Sequence, residues 1–133
     1  MDRLKGKVAI ITGGNSGVGE ATAKMFAKEG ATVVITARRE AALEKVAEEI
    51  KAAGGEVFAV STDISKKGDP ERLMDPVIEK YGKVDILVNN AGILEEGLKP
   101  IDRFSDEDLD RIVETNEKGT MRCMRAASQK MQE

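Results

Sequence analysis

Thr12-Gly13-Gly14-Asn15-Ser16-Gly17-Val18-Gly19 is the segment of this 133-residue chain whose residue types and spacing speak most directly of chemistry. Gly13 can turn the chain sharply, Gly17 can let backbone approach a ligand, and Gly19 can let a following helix pack close to a preceding strand. Where such a loop joins strand to helix, its amides and the positive end of the helix dipole converge on one point, an arrangement suited to a pyrophosphate. Turn punctuation is the other reading of a glycine trio. The context favours the first: a β-branched run precedes the trio, a helical pattern follows it, and a second β-branched run comes next. Three residues separate Gly13 from Gly17, so the spacing differs from the usual dinucleotide fingerprint.

The elements that must position this loop follow from hydrophobic periodicity. Val8 to Thr12 reads as a buried strand closed by Gly13-Gly14, and from Ser16 onward Val18, Thr22, Met25 and Phe26 recur at helical spacing until Gly30. Thr32 to Thr36 is a second strand. Leu43, Val46, Ala47 and Ile50 then fit an amphipathic helix ended by Gly54-Gly55. Val57 to Val60 is a third strand, and Asp69-Pro70 reads as an N-cap acid with proline at the first helical position. The helix after it carries Leu73, Met74, Val77, Ile78 and Tyr81 on one side, with Pro76 expected to kink or loosen it. Val84 to Asn89 is a fourth strand closed by Ala91-Gly92. Ser105-Asp106-Glu107-Asp108 opens a last helix like a capping box. That helix is expected to bury Leu109, Ile112, Val113, Asn116, Cys123, Met124 and Ala127, and to turn Asp110, Glu114, Glu117, Arg125 and Gln132 outward. Four short apolar strands alternating with four helices imply a parallel sheet with helices on both faces, an α/β sandwich formed by residues 1–133 as one domain.

Composition removes several function classes. With no histidine, every mechanism that needs a His base or a Cys/His zinc cluster is out, and the single Cys123 excludes an internal disulfide. The net charge of −3 and 3% aromatic content give no electrostatic or stacking reason to expect nucleic acid. The apolar runs are far shorter than the roughly 20 residues that span a bilayer, so no membrane partner is expected. The start of the chain has no secretory pattern. A reducing, cytoplasmic setting is the expectation, and the lone cysteine agrees with it.

The variant glycine spacing resembles the TGxxxGxG loop of the short-chain dehydrogenase/reductase family, and the resemblance continues in the family's order through Asp63, Asn89-Asn90-Ala91-Gly92 and Asn116. It implies a Rossmann-like three-layer α/β/α sandwich with strand order 3-2-1-4, binding NAD or NADP for hydride transfer between nicotinamide and an alcohol or carbonyl. By this resemblance Gly13, Asn15, Ser16, Gly17, Val18 and Gly19 form the cofactor-binding loop. Asp63 looks like the acid that accepts from the adenine amino group, with the Ile64 backbone beside it; the other reading of Asp63 is a strand-end cap. Asn89 is implied to brace the sheet and meet the cofactor, while Ala91 and Gly92 let the adenosine ribose lie close. Asn116 resembles the residue that supports a water-linked proton relay. The second strand ends Ile35-Thr36-Ala37-Arg38-Arg39, without the acid that NAD-preferring relatives use for the ribose 2′-hydroxyl. Arg38 instead offers a guanidinium to a 2′-phosphate, which favours NADP(H) over NAD. The alternative is that Arg38 and Arg39 are solvated residues opening the next helix.

The family's catalytic Ser and Tyr-x-x-x-Lys have no counterparts here. The one tyrosine is Tyr81, whose +4 residue is Asp85, and it reads as packing. The sequence resembles the cofactor-binding half of a reductase that stops before a fifth strand. Three classes stay open: an active NADP-dependent reductase whose missing segment is supplied elsewhere, a module that binds dinucleotide without turnover, which is the expectation for this chain alone, and a self-associating half-domain. The edge of the fourth strand, Ile86-Leu87-Val88, is expected to carry a homodimer. Contact through the last helix is disfavoured by the polarity of Glu117, Arg122, Arg125 and Gln129.

Overall fold

The computed structural model describes residues 2–14, 17–90 and 105–131. Four strands, β1 (Val8–Thr12), β2 (Thr32–Ala37), β3 (Glu56–Ser61) and β4 (Ile86–Val88), pair in parallel in the order β3-β2-β1-β4. In register, Ile10 sits between Val34 of β2 and Leu87 of β4. A parallel sheet is covered on both faces, which is why these strands are near-continuous apolar runs. Val8, Ile10 and Val34 pack with Leu73, Met74 and Val77 of α3 (Asp69–Tyr81) and Ala126 and Ala127 of α5 (Thr120–Met131). Ile11, Val33 and Ile35 pack with Ala23 of α1 (Gly17–Lys28) and Leu43, Val46, Ala47 and Ile50 of α2 (Glu40–Ala52). Three layers result, as the alternation of elements implied.

The strand expectations hold, with β2 and β3 slightly longer and β4 shorter than Val84 to Asn89. At the start of β4 a side chain takes over from the ladder. Asp85 N donates to Val8 O at 2.9 Å, while Val8 N donates to Asp85 Oδ2 at 2.8 Å. The Val8 amide, helped by Lys83 at 3.1 Å, holds the Asp85 carboxyl below the usual carboxylate range.

Three helix expectations need correction. In α1 the buried residues are Gly19 and Ala23, while Val18 and Met25 are 74% and 62% exposed. Small residues line the inner face because the helix lies close against the sheet and loop, so the larger apolar residues are left outside. At α3 the N-cap is Gly68, with Asp69 and Pro70 one position further in. The Asp69 carboxylate is used elsewhere, pairing with Arg72 and accepting from Asp63 N at 3.1 Å. Arg72 beside it pulls the Asp69 carboxyl below its ordinary range. Pro76 sits inside a helix that continues through it. Tyr81 packs edge-to-face on Phe58, with ring centroids 6.1 Å apart.

The last helix is three pieces. Ser105 and Asp108 form the expected capping box at the start of α4 (Asp106–Ile112), a π-helical segment spans Val113–Gly119, and α5 follows. Cys123 and Ala127 are buried as expected, joined by Ala126, but Leu109, Val113 and Met124 are exposed. The extra residue per turn in the π-helical segment shifts the buried stripe out of register with an uninterrupted helix. Two polar residues expected to face away are instead engaged: Glu114 pairs with Arg122 at 2.9 Å and Arg125 with Glu71 of α3 at 2.8 Å. Arg122 is part-buried, and Met121, Met124 and Met131 stand on the exposed side of α5. The outward face of this helix is thus less polar than the sequence suggested. The positions of Gln132 and Ile112 in that stripe lie outside the described residues and side chains.

Candidate functional site

Because all four strands run the same way, their carboxyl ends share one edge of the sheet, and the loops that carry Gly13, Arg38, Asp63 and Asn89 emerge there together. The order 3-2-1-4 reverses direction between β1 and β4, a switch point of the kind where open α/β sheets take their ligands. The joint at that point is closed by Asn90. Its backbone N donates to Thr12 Oγ1 at 3.1 Å, and its Nδ2 donates to Gly13 O at 3.2 Å. Thr12 Oγ1 in turn donates to Val88 O at 3.4 Å. The bracing expected of Asn89 therefore belongs to Asn90, because alternation along the chain turns one asparagine toward the loop and leaves Asn89 exposed.

Among the described residues of the glycine loop, Gly13 is held and Gly17 stands open. Gly13 has φ +70°, a left-handed turn, and its N donates to Thr36 O at 2.8 Å. A Cβ at Gly19 would run into the Gly13 carbonyl oxygen and the Asn90 amide nitrogen, so this position permits the close approach of α1 to the loop. A Cβ at Gly14 would come within 2.8 Å of Ile35 Cβ, a constraint on a glycine that the spacing argument did not single out. Gly17 opens α1 and faces open space, where a Cβ would meet nothing within 4 Å, and Val18 beside it is exposed. Asn15 and Ser16, like Ala91 and Gly92, lie outside the described residues.

At the end of β2, Arg39 is the N-cap of α2, whose Leu43 N donates to Arg39 O at 3.1 Å. The helix-opening alternative is met at Arg39 and stays open for Arg38, which is solvated beside it. Arg38 precedes the cap in a bend, is exposed, and makes no side-chain ion pair among the described residues. Its carbonyl accepts from Ser61 Oγ at 3.2 Å, which ties the β2 loop to β3. One strand over, Asp63 Oδ1 accepts from Ser65 N at 3.0 Å and Ser65 Oγ at 2.5 Å. This carboxylate does cap its own turn through one oxygen, while Oδ2 makes no hydrogen bond among the described residues. Ile64 is buried beside it at 6% exposure.

Asn116 is the central residue of the π-helical segment, half-buried and not free of partners. Such segments recur at functional positions. Local periodicity did not reveal the break, since apolar spacing runs on through it. No group of three or more His, Cys, Asp or Glu residues able to hold a metal occurs among the described residues, and no helix among them is long and apolar enough to cross a membrane.

Comparison with known proteins agrees with this geometry. The model of the short chain dehydrogenase family matches residues 7–133. The uncharacterized oxidoreductase Lin0452 of Listeria innocua is 42% identical over 118 residues, 89% of this chain and 47% of that protein. The citronellol catabolism dehydrogenase AtuB of Pseudomonas aeruginosa superposes with a TM-score of 0.90 at 32% identity, over 98% of this chain and 52% of that one. A short chain dehydrogenase from Burkholderia cenocepacia, solved in complex with NADP, has a TM-score of 0.88 at 35% identity, over 97% of this chain and 52% of its own. The chain spans about half the length of the relatives it matches. From the glycine loop on β1 to the asparagine in the π-helical segment, and in the sequence match that runs through both, it belongs to the short chain dehydrogenase family.

Proposed function

We propose that residues 1–133 are the NADP(H)-binding part of a short-chain oxidoreductase that transfers hydride between nicotinamide and an alcohol or carbonyl. The observation that carries this reading is the switch-point joint, where Asn90 holds Gly13 and the Gly17 side of the loop is open. The residues fit a dinucleotide: a glycine cradle for the pyrophosphate, Asp63 Oδ2 for the adenine amino group, Asn89 exposed at the β4 end, and Arg38 for a 2′-phosphate. Bound there, NADPH supplies the hydride for a carbonyl reduction. The chain's own contribution is to hold and orient it, with Asn116 set to anchor a proton relay whose remaining members are not among these 133 residues. Residues 1–133 by themselves are therefore proposed to bind without reducing added carbonyl compounds. The NADP complex of the Burkholderia cenocepacia relative supports the choice of cofactor.

Titration of NADPH and NADH against the parent chain and Arg38→Ala tests this. One charge-assisted phosphate contact is worth about 1.5–3 kcal/mol, so NADPH is expected to bind at least about tenfold tighter and to lose that margin in the variant. Equal affinities in the parent would refute the role of Arg38. A second reading, self-association, is favoured by the outer edge of β4, where Ile86, Leu87 and Val88 pair with no further strand among the described residues. We infer a homodimer through that edge. Light scattering on the parent and on Leu87→Lys checks it: a parent that stays monomeric at high concentration excludes the edge pairing.

A further inference from the structure

Arg122 of α5 reaches two segments that are far apart in sequence. Its Nη1 donates to Ser65 O at 3.2 Å, in the loop after β3, and to Glu114 Oε1 at 2.9 Å, in the π-helical segment. The Arg122 side chain is only 18% exposed, so this is not a solvated surface pair. A second contact joins the same two segments. Gly119, the last residue of the π-helical segment, is buried against Ile64, and a Cβ there would lie 2.8 Å from Ile64 O. The loop has little freedom of its own, because Asp63 Oδ1 holds Ser65 and Asp69 Oδ2 holds the Asp63 amide. Hydrogen bonds thus run from Asp63 to Ser65, and from its carbonyl to the guanidinium that also grips Glu114, two residues from Asn116.

We propose that Arg122 is a positioning residue that couples the loop Asp63–Ser65 to the π-helical segment carrying Asn116. Resting on the dinucleotide reading above, the coupling means that engagement of adenine at Asp63 is felt at Asn116, so that filling one end of the cofactor site steadies the proton-relay end. Arg125 supplies the internal comparison. It sits one turn on, makes an ion pair of similar length with Glu71 of α3 at 2.8 Å, and makes no side-chain hydrogen bond or ion pair with either segment among the described residues.

Amide hydrogen exchange of the free chain and of its NADPH mixture, on the parent, Arg122→Met, Arg122→Lys and Arg125→Met, tests the coupling. In the free chain Arg122→Met is expected to speed exchange in both 63–65 and 113–119, Arg122→Lys to restore part of the protection, and Arg125→Met to leave both segments unchanged. With NADPH, protection in the parent is expected to extend from 63–65 into 113–119 and to stop at 63–65 in Arg122→Met. NADPH affinity should fall about three- to tenfold in Arg122→Met, and the Asp63→Ala, Arg122→Met double variant should lose less than the sum of the singles. Exchange that changes in only one segment, or equally in Arg125→Met, overturns the proposal, as does NADPH protection confined to 63–65 in the parent. If the parent binds no NADPH, the cofactor reading fails, and the free-chain comparison still decides whether Arg122 couples the segments. Should Arg122→Met not fold, Arg122→Lys and Glu114→Gln carry the same comparison.

Discussion

Replacing Gly19 with alanine sets two opposed effects against each other, and the structure says which should win. Gly19 lies within α1, where alanine is favoured over glycine by about 1 kcal/mol. The new methyl, however, would meet the Gly13 carbonyl oxygen and Asn90 Nδ2. Gly13 is backbone pinned by its hydrogen bond to Thr36 at 2.8 Å, so it cannot swing aside as a flexible side chain would. Overpacking of this kind costs about 1–3 kcal/mol, and loss of the Asn90–Gly13 hydrogen bond adds about 1 kcal/mol. The net expectation is a destabilisation of about 1–3 kcal/mol, a fall in Tm of about 3–5 °C for each kcal/mol in a domain of this size. Gly17→Ala is the matched control. It has open space but φ +56°, so its cost is the left-handed backbone alone, about 1–2 kcal/mol.

Urea unfolding followed by far-ultraviolet circular dichroism, with NADPH titration on the same samples, separates the two. Gly19→Ala should lose both stability and binding, because the Gly13 carbonyl that must move belongs to the proposed phosphate loop. Asn90→Ala combined with Gly19→Ala should be less harmful than the sum by about 1 kcal/mol, since the hydrogen bond is lost only once. A Gly19→Ala chain as stable as the parent, or more stable, would refute the reasoning, because it would mean that helix propensity outweighs the contact with the loop.

Other outcomes follow from the same geometry. Asp85→Ala should cost about 1 kcal/mol at neutral pH by stranding the Val8 amide. Because the folded carboxyl titrates below its ordinary range, the parent's advantage is present above the unfolded pKa and is lost as pH falls below about 4; urea midpoints across that range check it. Cys123 is fully buried and its thiol is pushed up to about 11, chiefly by burial. It should resist a thiol reagent at pH 8 until urea is added, and stability should decline as pH rises from 9 toward 11, where only the unfolded thiol ionises. The inner face of α1 predicts that Val18→Gln, at a 74% exposed position, changes stability by less than about 0.5 kcal/mol. Ala23→Leu, at a position with no exposure, should cost about 1–3 kcal/mol, and the reverse ranking in thermal melts would return the core to the large residues.

What the sequence disclosed and what it hid divide along a physical line. Runs such as Val8 to Thr12 and the stripe Leu43, Val46, Ala47, Ile50 were legible because burial by hydrophobicity is a property of the residue itself, and all four of the latter are buried. The glycine loop was legible because the phosphate contact proposed for it needs absent side chains at fixed intervals. In α1 the same logic misled. Close approach to Gly13 and Asn90 requires smallness at Gly19, and packing on the sheet buries Ala23, while Val18 and Met25 stay out. Hydropathy cannot register a contact whose requirement is the lack of a side chain. The choice of Asn90 over Asn89 as the brace is decided by which way one residue points at the end of a three-residue strand, a matter of phase that two identical neighbours cannot signal. The π-helical segment was hidden for a third reason. The contacts around it, Gly119 on Ile64 and, from α5, Arg122 on Ser65, reach a loop some fifty residues earlier in the chain, and no window along the helix contains them. The residues that join the parts of the proposed site, Asn90 and Arg122, are therefore those with the weakest local signature, because their role is defined by what they connect.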